Sequence, residues 1–191
     1  RRFATGARTP LGADVLALFM GSWHPPNLAA AEDVVAAAPG CRHTVFVLGG
    51  HHSDALQGRA LPVNVATTGM VTASAKDALL RTAGVALNPV RFGSGTNLKI
   101  LEYLAAGVPV VTTRFGARGI DVVDDEHVIV DDDLGRGLAR VRDDPGATIE
   151  RSRAGRALVE EHYDWPAIAD RFTDVVLDLI GVPVGPPRGR P

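Results

Sequence analysis

The chain has 191 residues, 46% hydrophobic and only 5% aromatic, a formal charge of -2 and one cysteine, Cys41. That length suits one domain with its own core, and the near-neutral balance supplies no basic field for nucleic acid. A single cysteine excludes an internal disulfide framework or cysteine metal cluster, and no apolar run reaches the ~18 residues of a membrane helix. Lysine occurs only at Lys76 and Lys99, every other basic residue being arginine.

Residues 1–13, with Gly6, Pro10 and Gly12, read as a linker, and the opening Arg1-Arg2-Phe3-Ala4 reads as a cut from a longer chain. A first strand is expected over Val15–Met20, stopped by Gly21-Ser22. Pro25-Pro26-Asn27 opens a helix. Thr44–Leu48 is a second strand ended by Gly49-Gly50, a short helix follows over 53–60, and Val63–Thr67 is a third strand leading to Gly69. A helix over Ser74–Thr82 precedes a fourth strand, Val85–Val90, and the turn Gly93-Ser94-Gly95. Asn97–Ala106 is a helix that Gly107 can end. Pro109–Thr113 and Val128–Val130 are the last strands. Three helices follow, over Leu134–Arg142, Pro145–Tyr163 and Trp165–Leu179. The domain is therefore expected over 14–180, with 181–191 a Pro/Gly/Arg-rich mobile tail.

Strands alternating with helices predict an α/β fold: a doubly wound, Rossmann-like parallel sheet of six strands. Ligands of such sheets bind beyond the C-terminal strand ends. Gly21, Gly49-Gly50, Gly69 and Gly93 with Gly95 all fall at such ends.

The run 93–102 carries the chemistry. Two glycines around Ser94 let the backbone turn sharply and approach a ligand. Thr96 is a candidate N-cap, and amides at a helix start favour an anion such as a diphosphate. Glu102 follows six residues later, ~9 Å along a helix axis, where a carboxylate suits a pair of ribose hydroxyls.

The stretch from Phe92 to Val111, Phe-Gly-Ser-Gly-Thr-Asn-Leu-Lys-Ile-Leu-Glu-Tyr-Leu-Ala-Ala-Gly-Val-Pro-Val-Val, resembles the signature of the group 1 retaining glycosyltransferases. Gly21, Thr68-Gly69-Met70-Val71, Phe115-Gly116-Ala117-Arg118-Gly119 and His162-Tyr163-Asp164-Trp165 follow in the order that family shows. The resemblance covers about 14–180. It implies the C-terminal, nucleotide-sugar-binding half of a GT-B fold, with the acceptor domain outside this chain. It implies a hexose moved from a nucleoside diphosphate sugar with retention, no cofactor and no metal. The isolated half would be inactive and bind nucleotide modestly. The implied location is the cytoplasm, with the inner face of the membrane as an option for the full-length protein.

The implied donor site comprises Gly21, Ser22, Met70, Val71, Gly93, Ser94, Gly95, Thr96, Asn97, Leu98, Lys99 and Glu102. Glu102 matches the glutamate that holds the ribose. Amides from Gly95 to Asn97 would meet phosphate or sugar, Leu98 and Lys99 would lie near the nucleoside, and Met70, Val71 and Thr72 would line the base. Two departures stand out. Ser94 occupies the position of a sugar-contacting glutamate. The first loop, Gly21-Ser22-Trp23-His24-Pro25-Pro26-Asn27, lacks the Arg and Lys that grip the diphosphate in many relatives, leaving His24 and Asn27 as candidate donors.

Other features have plainer readings. His51-His52 is expected in an exposed loop rather than on a metal. Asp124-Asp125-Glu126-His127 with Asp131–Asp133 lacks EF-hand spacing and reads as a solvated acidic hairpin. Trp23 is a candidate for stacking on a ligand, and Trp165 is expected to pack where the last helices meet the sheet. Arg114 and Arg118 face either the acceptor side or solvent. Two rivals to the main reading are a different Rossmann-like enzyme, for which the glycine fingerprint after the first strand is missing, and a non-catalytic nucleotide-binding remnant of the same fold.

Overall fold

The computed structural model describes residues 15–181. The linker expected over 1–13 and, Gly181 apart, the tail expected over 181–191 lie outside them. Six strands form one parallel sheet: β1 Val15–Met20, β2 Thr44–Gly49, β3 Val65–Gly69, β4 Val85–Asn88, β5 Val110–Thr112 and β6 Ile129–Val130. The helices are α1 Pro25–Ala37, α2 Ala73–Thr82, α3 Lys99–Ala105, α4 Leu134–Asp143, α5 Pro145–His162 and α6 Trp165–Leu179.

The strand order is β3-β2-β1-β4-β5-β6. Helices cover both faces of β1, so its sequence is apolar without alternation. Ala17 and Phe19 point into the core beneath α1 and α4, and Leu18 and Met20 into the core beneath α2, α3 and α5. The edge strand β3 has no such double cover, and its Ala66, Thr67 and Thr68 are exposed.

Strand ends shift where proline intervenes. The fourth strand stops at Asn88 because Pro89 has no N–H to continue the ladder. The fifth begins at Val110, after Pro109. The third starts two residues later than the apolar pattern suggests. There Val65 N–H closes a turn on the Pro62 carbonyl at 2.9 Å, and Val63 is left fully exposed. Trp165 does not pack as expected: it is 79% exposed at the start of α6. That helix packs on α5 and leaves Phe172, Val175 and Leu179 exposed too.

The chain reverses its direction of travel across the sheet between β1 and β4. Beyond the C-terminal ends of those two strands lies the crevice where ligands of open parallel sheets bind. The loops that wall it are 21–24 after β1 and 89–98 after β4.

Candidate functional site

These two loops face one another and enclose a cleft of about 240 Å³. Its lining includes Ser22, Gly93, Ser94, Thr96, Asn97, Leu98 and Lys99 of the predicted residues, together with His24, Asn27 and Arg118. Two larger hollows lie elsewhere, one walled by Asp33, Arg91 and Asp131 and one by Cys41, His43 and Arg142. The first of these borders Pro89 and Arg91 at the start of the loop after β4, but neither includes a residue of the 93–97 turn or of the loop 21–24, so the smaller cleft is the candidate site.

Gly93 and Gly95 have φ of 129° and 74°, the left-handed half that side chains avoid. Gly93 also runs close to the first loop: a Cβ there would fall 2.9 Å from Pro26 Cγ. The helix after this turn starts later than expected. Leu98 holds the N-cap position with no side-chain cap, and Lys99 is the first helical residue. Thr96 is therefore not a cap. The stretch stays irregular because its polar groups are held by the loop after β5: Asn97 Nδ2 donates to the Gly116 carbonyl at 3.2 Å. Arg118 Nη2 donates to the carbonyls of Gly93 and Gly95 at 3.0 and 2.9 Å, its guanidinium stacked 3.6 Å above the Phe115 ring. Arg118 thus faces the glycine loop rather than solvent. Among the described residues, the amides of Gly95, Thr96 and Asn97 meet no acceptor.

The short α3 buries Ile100, Tyr103 and Leu104 at helical spacing. Tyr103 anchors it, its hydroxyl accepting the Met20 N–H at 2.9 Å at the end of β1. Burial pushes the Tyr103 phenol far up, so it stays neutral. With that face committed, Lys99 and Glu102, three residues apart, turn toward the loops. Lys99 Nζ donates to Asn27 Oδ1 at 2.5 Å and lies 4.7 Å from the centre of the Phe19 ring. Asn27 Nδ2 in turn donates to the Ser22 carbonyl at 3.1 Å. Glu102 pairs with Lys76 of α2. Of the two lysines, Lys99 lines the cleft and Lys76 is paired beyond it. Met70 and Leu98 are exposed apolar side chains, while Val71 is half-buried against the core. Met70, Val71 and Glu102 lie outside the lining of the small cleft.

The loops after β1, β2 and β3 are stitched together through their backbones. Gly21 N–H donates to the Gly49 carbonyl at 3.0 Å, and Gly50 N–H to the Gly69 carbonyl at 2.8 Å. Ser53 Oγ donates to the Gly50 carbonyl and accepts the Gly69 N–H. The expected helix over 53–60 is a 3-10 turn over His51–Leu56. His52 in that turn is wholly buried, contrary to the exposed loop expected. Its Nδ1 lies 2.9 Å from the Gly21 carbonyl, so Nδ1 carries the proton. Its ring meets Phe19 edge-on at 4.8 Å.

Burial pushes His52 below its ordinary value of 6.5, the Gly21 bond opposing and the Lys99 charge assisting. An unfolded chain then takes up a proton that the folded chain refuses. Stability is full above about pH 6.5 and declines as pH falls toward the folded-state value. The depressed carboxylates of Glu32, Asp125 and Asp131 act further down, below 4.5 and 3.8. Urea midpoints measured from about pH 8 to about pH 5 should show the decline, and His52→Gln, which keeps a donor but cannot titrate, should flatten it.

The acidic hairpin is clamped by arginines rather than merely solvated. Asp124 and Asp125 pair with Arg140, Asp125 also with Arg151, and Asp131 with Arg136. Among the described residues no three His, Cys, Asp or Glu side chains are grouped to hold a metal ion. No described helix is long and apolar enough to cross a membrane.

A six-stranded parallel sheet in this order, helices on both faces and a crevice at the β1–β4 switch point, is the Rossmann-like architecture of the C-terminal half of a GT-B fold. The chain belongs to the glycosyl transferases group 1 family, whose model matches residues 14–144. A glycogen synthase of Mycobacterium tuberculosis is 33% identical over 105 residues, 52% of this chain and 25% of that protein. A sucrose synthase of Acidithiobacillus caldus is 29% identical over 101 residues, 48% of this chain and 13% of that protein. The chain thus matches a quarter or less of the length of these curated relatives. Among solved structures, sucrose-phosphate synthase of Thermosynechococcus elongatus superposes with a TM-score of 0.70 at 21% identity, over 90% of this chain and 47% of that one. The Anabaena protein HepE, solved with UDP-glucose, gives 0.71 at 13% identity, over 86% of this chain and 49% of that one. These two likenesses are of fold.

Proposed function

We propose that this chain is the donor-binding half of a retaining glycosyltransferase that moves a hexose from a nucleoside diphosphate sugar to an acceptor held by a domain outside it. The observation that carries the reading is the place of the run 93–102. It starts at the switch point with unpaired loop amides and ends at the Glu102 carboxylate. Amides there suit the phosphates, Glu102 suits the ribose hydroxyls, and the exposed Met70 and Leu98 suit a base. Catalysis lies in positioning the donor and stabilising the departing diphosphate; this domain contributes no nucleophile and the reaction needs no metal. The isolated chain binds nucleotide without turning it over. The full protein works in the cytoplasm or at the inner face of the membrane.

Calorimetric titration with UDP, GDP and dTDP tests the binding. UDP comes first because HepE was solved with UDP-glucose. A Kd on the order of 0.1–1 mM is expected, and no binding of any of them at ~1 mM would count against the reading. One alternative has support in the residues: nucleotide binding without transfer, favoured by Ser94 in place of a glutamate and by a first loop with no Arg or Lys. Donor turnover by the full-length protein excludes it.

A further inference from the structure

We propose that Lys99, reaching under the first loop from the start of α3, is the cation that meets the donor's diphosphate in this protein. The inference rests on the donor-site reading and moves Lys99 from the nucleoside, where family resemblance put it, to the phosphates. The first loop supplies no cationic arginine or lysine of its own. Of the other long cations near the crevice, Lys76 pairs with Glu102, and Arg118 holds the carbonyls of Gly93 and Gly95 through Nη2 and lies on the Phe115 ring, with Nη1 buried and unpartnered. Lys99 lines the cleft, yet its one hydrogen-bond partner among the described residues is the neutral amide oxygen of Asn27.

An ammonium taken from water without an anion is costly, and an anion arriving beside it recovers that cost. Burial alone draws its pKa from 10.5 down to about 8, the mark of a charge without a counter-ion. Asn27 and the Phe19 ring fix the direction of the ammonium, so its remaining two N–H groups are presented rather than searching. Ser22, whose carbonyl Asn27 holds, lies on the same wall. Thr96 and Asn97, whose amides are unpaired among the described residues, line the same cleft, so a diphosphate held there accepts from them as well as from Lys99.

The charged and titratable groups facing Lys99 are His52 behind Gly21, His24 and Arg118 on the cleft walls, and the Lys76–Glu102 pair beyond. His52 is pushed down, away from the range in which Lys99 titrates. Diphosphate affinity should therefore fall as pH rises from about 7 to about 9 and Lys99 loses its proton.

The test titrates the 191-residue chain by calorimetry with UDP, with uridine and with inorganic pyrophosphate. If GDP or dTDP binds better, that nucleotide and its nucleoside replace them. Lys99→Met, which keeps the apolar stem on Phe19, should weaken the nucleoside diphosphate and pyrophosphate about ten- to a hundredfold, leave the nucleoside unchanged and abolish the loss between pH 7 and 9. Lys99→Gln, neutral but polar, should behave alike and serves if the methionine variant does not fold. Equal losses for nucleoside and diphosphate, or no loss for either, would overturn the assignment while leaving the donor site standing. Failure of the unaltered chain to bind any nucleoside diphosphate overturns the donor-site reading, and this assignment with it.

Discussion

Gly50→Ala is expected to cost about 3 kcal/mol of stability, a large share of what a domain of this size holds. Gly50 has φ of 105°, and a Cβ there would sit 2.3 Å from the Gly21 carbonyl oxygen. The obstacle is backbone, so no side chain can swing aside. It is also backbone held in place: Gly21 N–H is bonded to Gly49, and Gly50 N–H to Gly69. Relief would have to pull the first loop away from the second and open the crevice. Nucleotide affinity of whatever remains folded should fall too. Gly58→Ala is the control. Gly58 has φ of 74° with nothing within 4 Å of its added Cβ, so only the dihedral strain of about 1 kcal/mol applies. Urea denaturation of both variants separates strain from collision. Equal losses would show that the contact with Gly21 yields easily.

Glu102→Gln should weaken nucleotide binding about ten- to a hundredfold, the worth of a charge-assisted hydrogen bond or two, with little change in stability. The two effects separate because the Glu102 side chain is 36% exposed and its partner Lys76 32% exposed. An ion pair that open to water contributes about 0–1 kcal/mol. Lys76 therefore serves mainly to hold the carboxylate in one rotamer. The decisive comparison uses UDP against its 2′,3′-dideoxy counterpart. If Glu102 holds the ribose, the dideoxy nucleotide binds the unaltered chain and the variant equally. A loss that persists for the dideoxy nucleotide assigns Glu102 elsewhere.

Much of the scaffold was legible because the relevant signals are local. The unbroken apolar run of β1, the prolines opening α1 and the glycines at strand ends reflect backbone geometry that each short segment imposes on itself. With the alternation of strands and helices, those signals sufficed to place the crevice and to bring the turn at Gly93 and Ser94 to its edge. What escaped depends on partners distant in sequence. Thr96 has the chemistry of a cap, but its neighbours Asn97, Gly93 and Gly95 are bonded to Gly116 and Arg118, and the helix waits until Lys99. His52 looked like half of an exposed pair. Only the approach of Gly21, 31 residues away, and the Phe19 ring gives it a buried place. Asn27 stood out as a donor in a loop without cations, and it acts on Lys99, 72 residues on. Trp165 shows the opposite error: a large aromatic near the chain's end was assigned to packing, and it is exposed.

The Ser94 side chain is exposed at the lip of the cleft and makes no hydrogen bond to any described residue. The glycines on either side, not the serine, impose the shape of the turn. Exchanging the residue at this position should therefore leave the domain's melting point almost untouched. Under the donor-site proposal, donor preference would then drift here one codon at a time, without a stability toll that would have to be repaired elsewhere first.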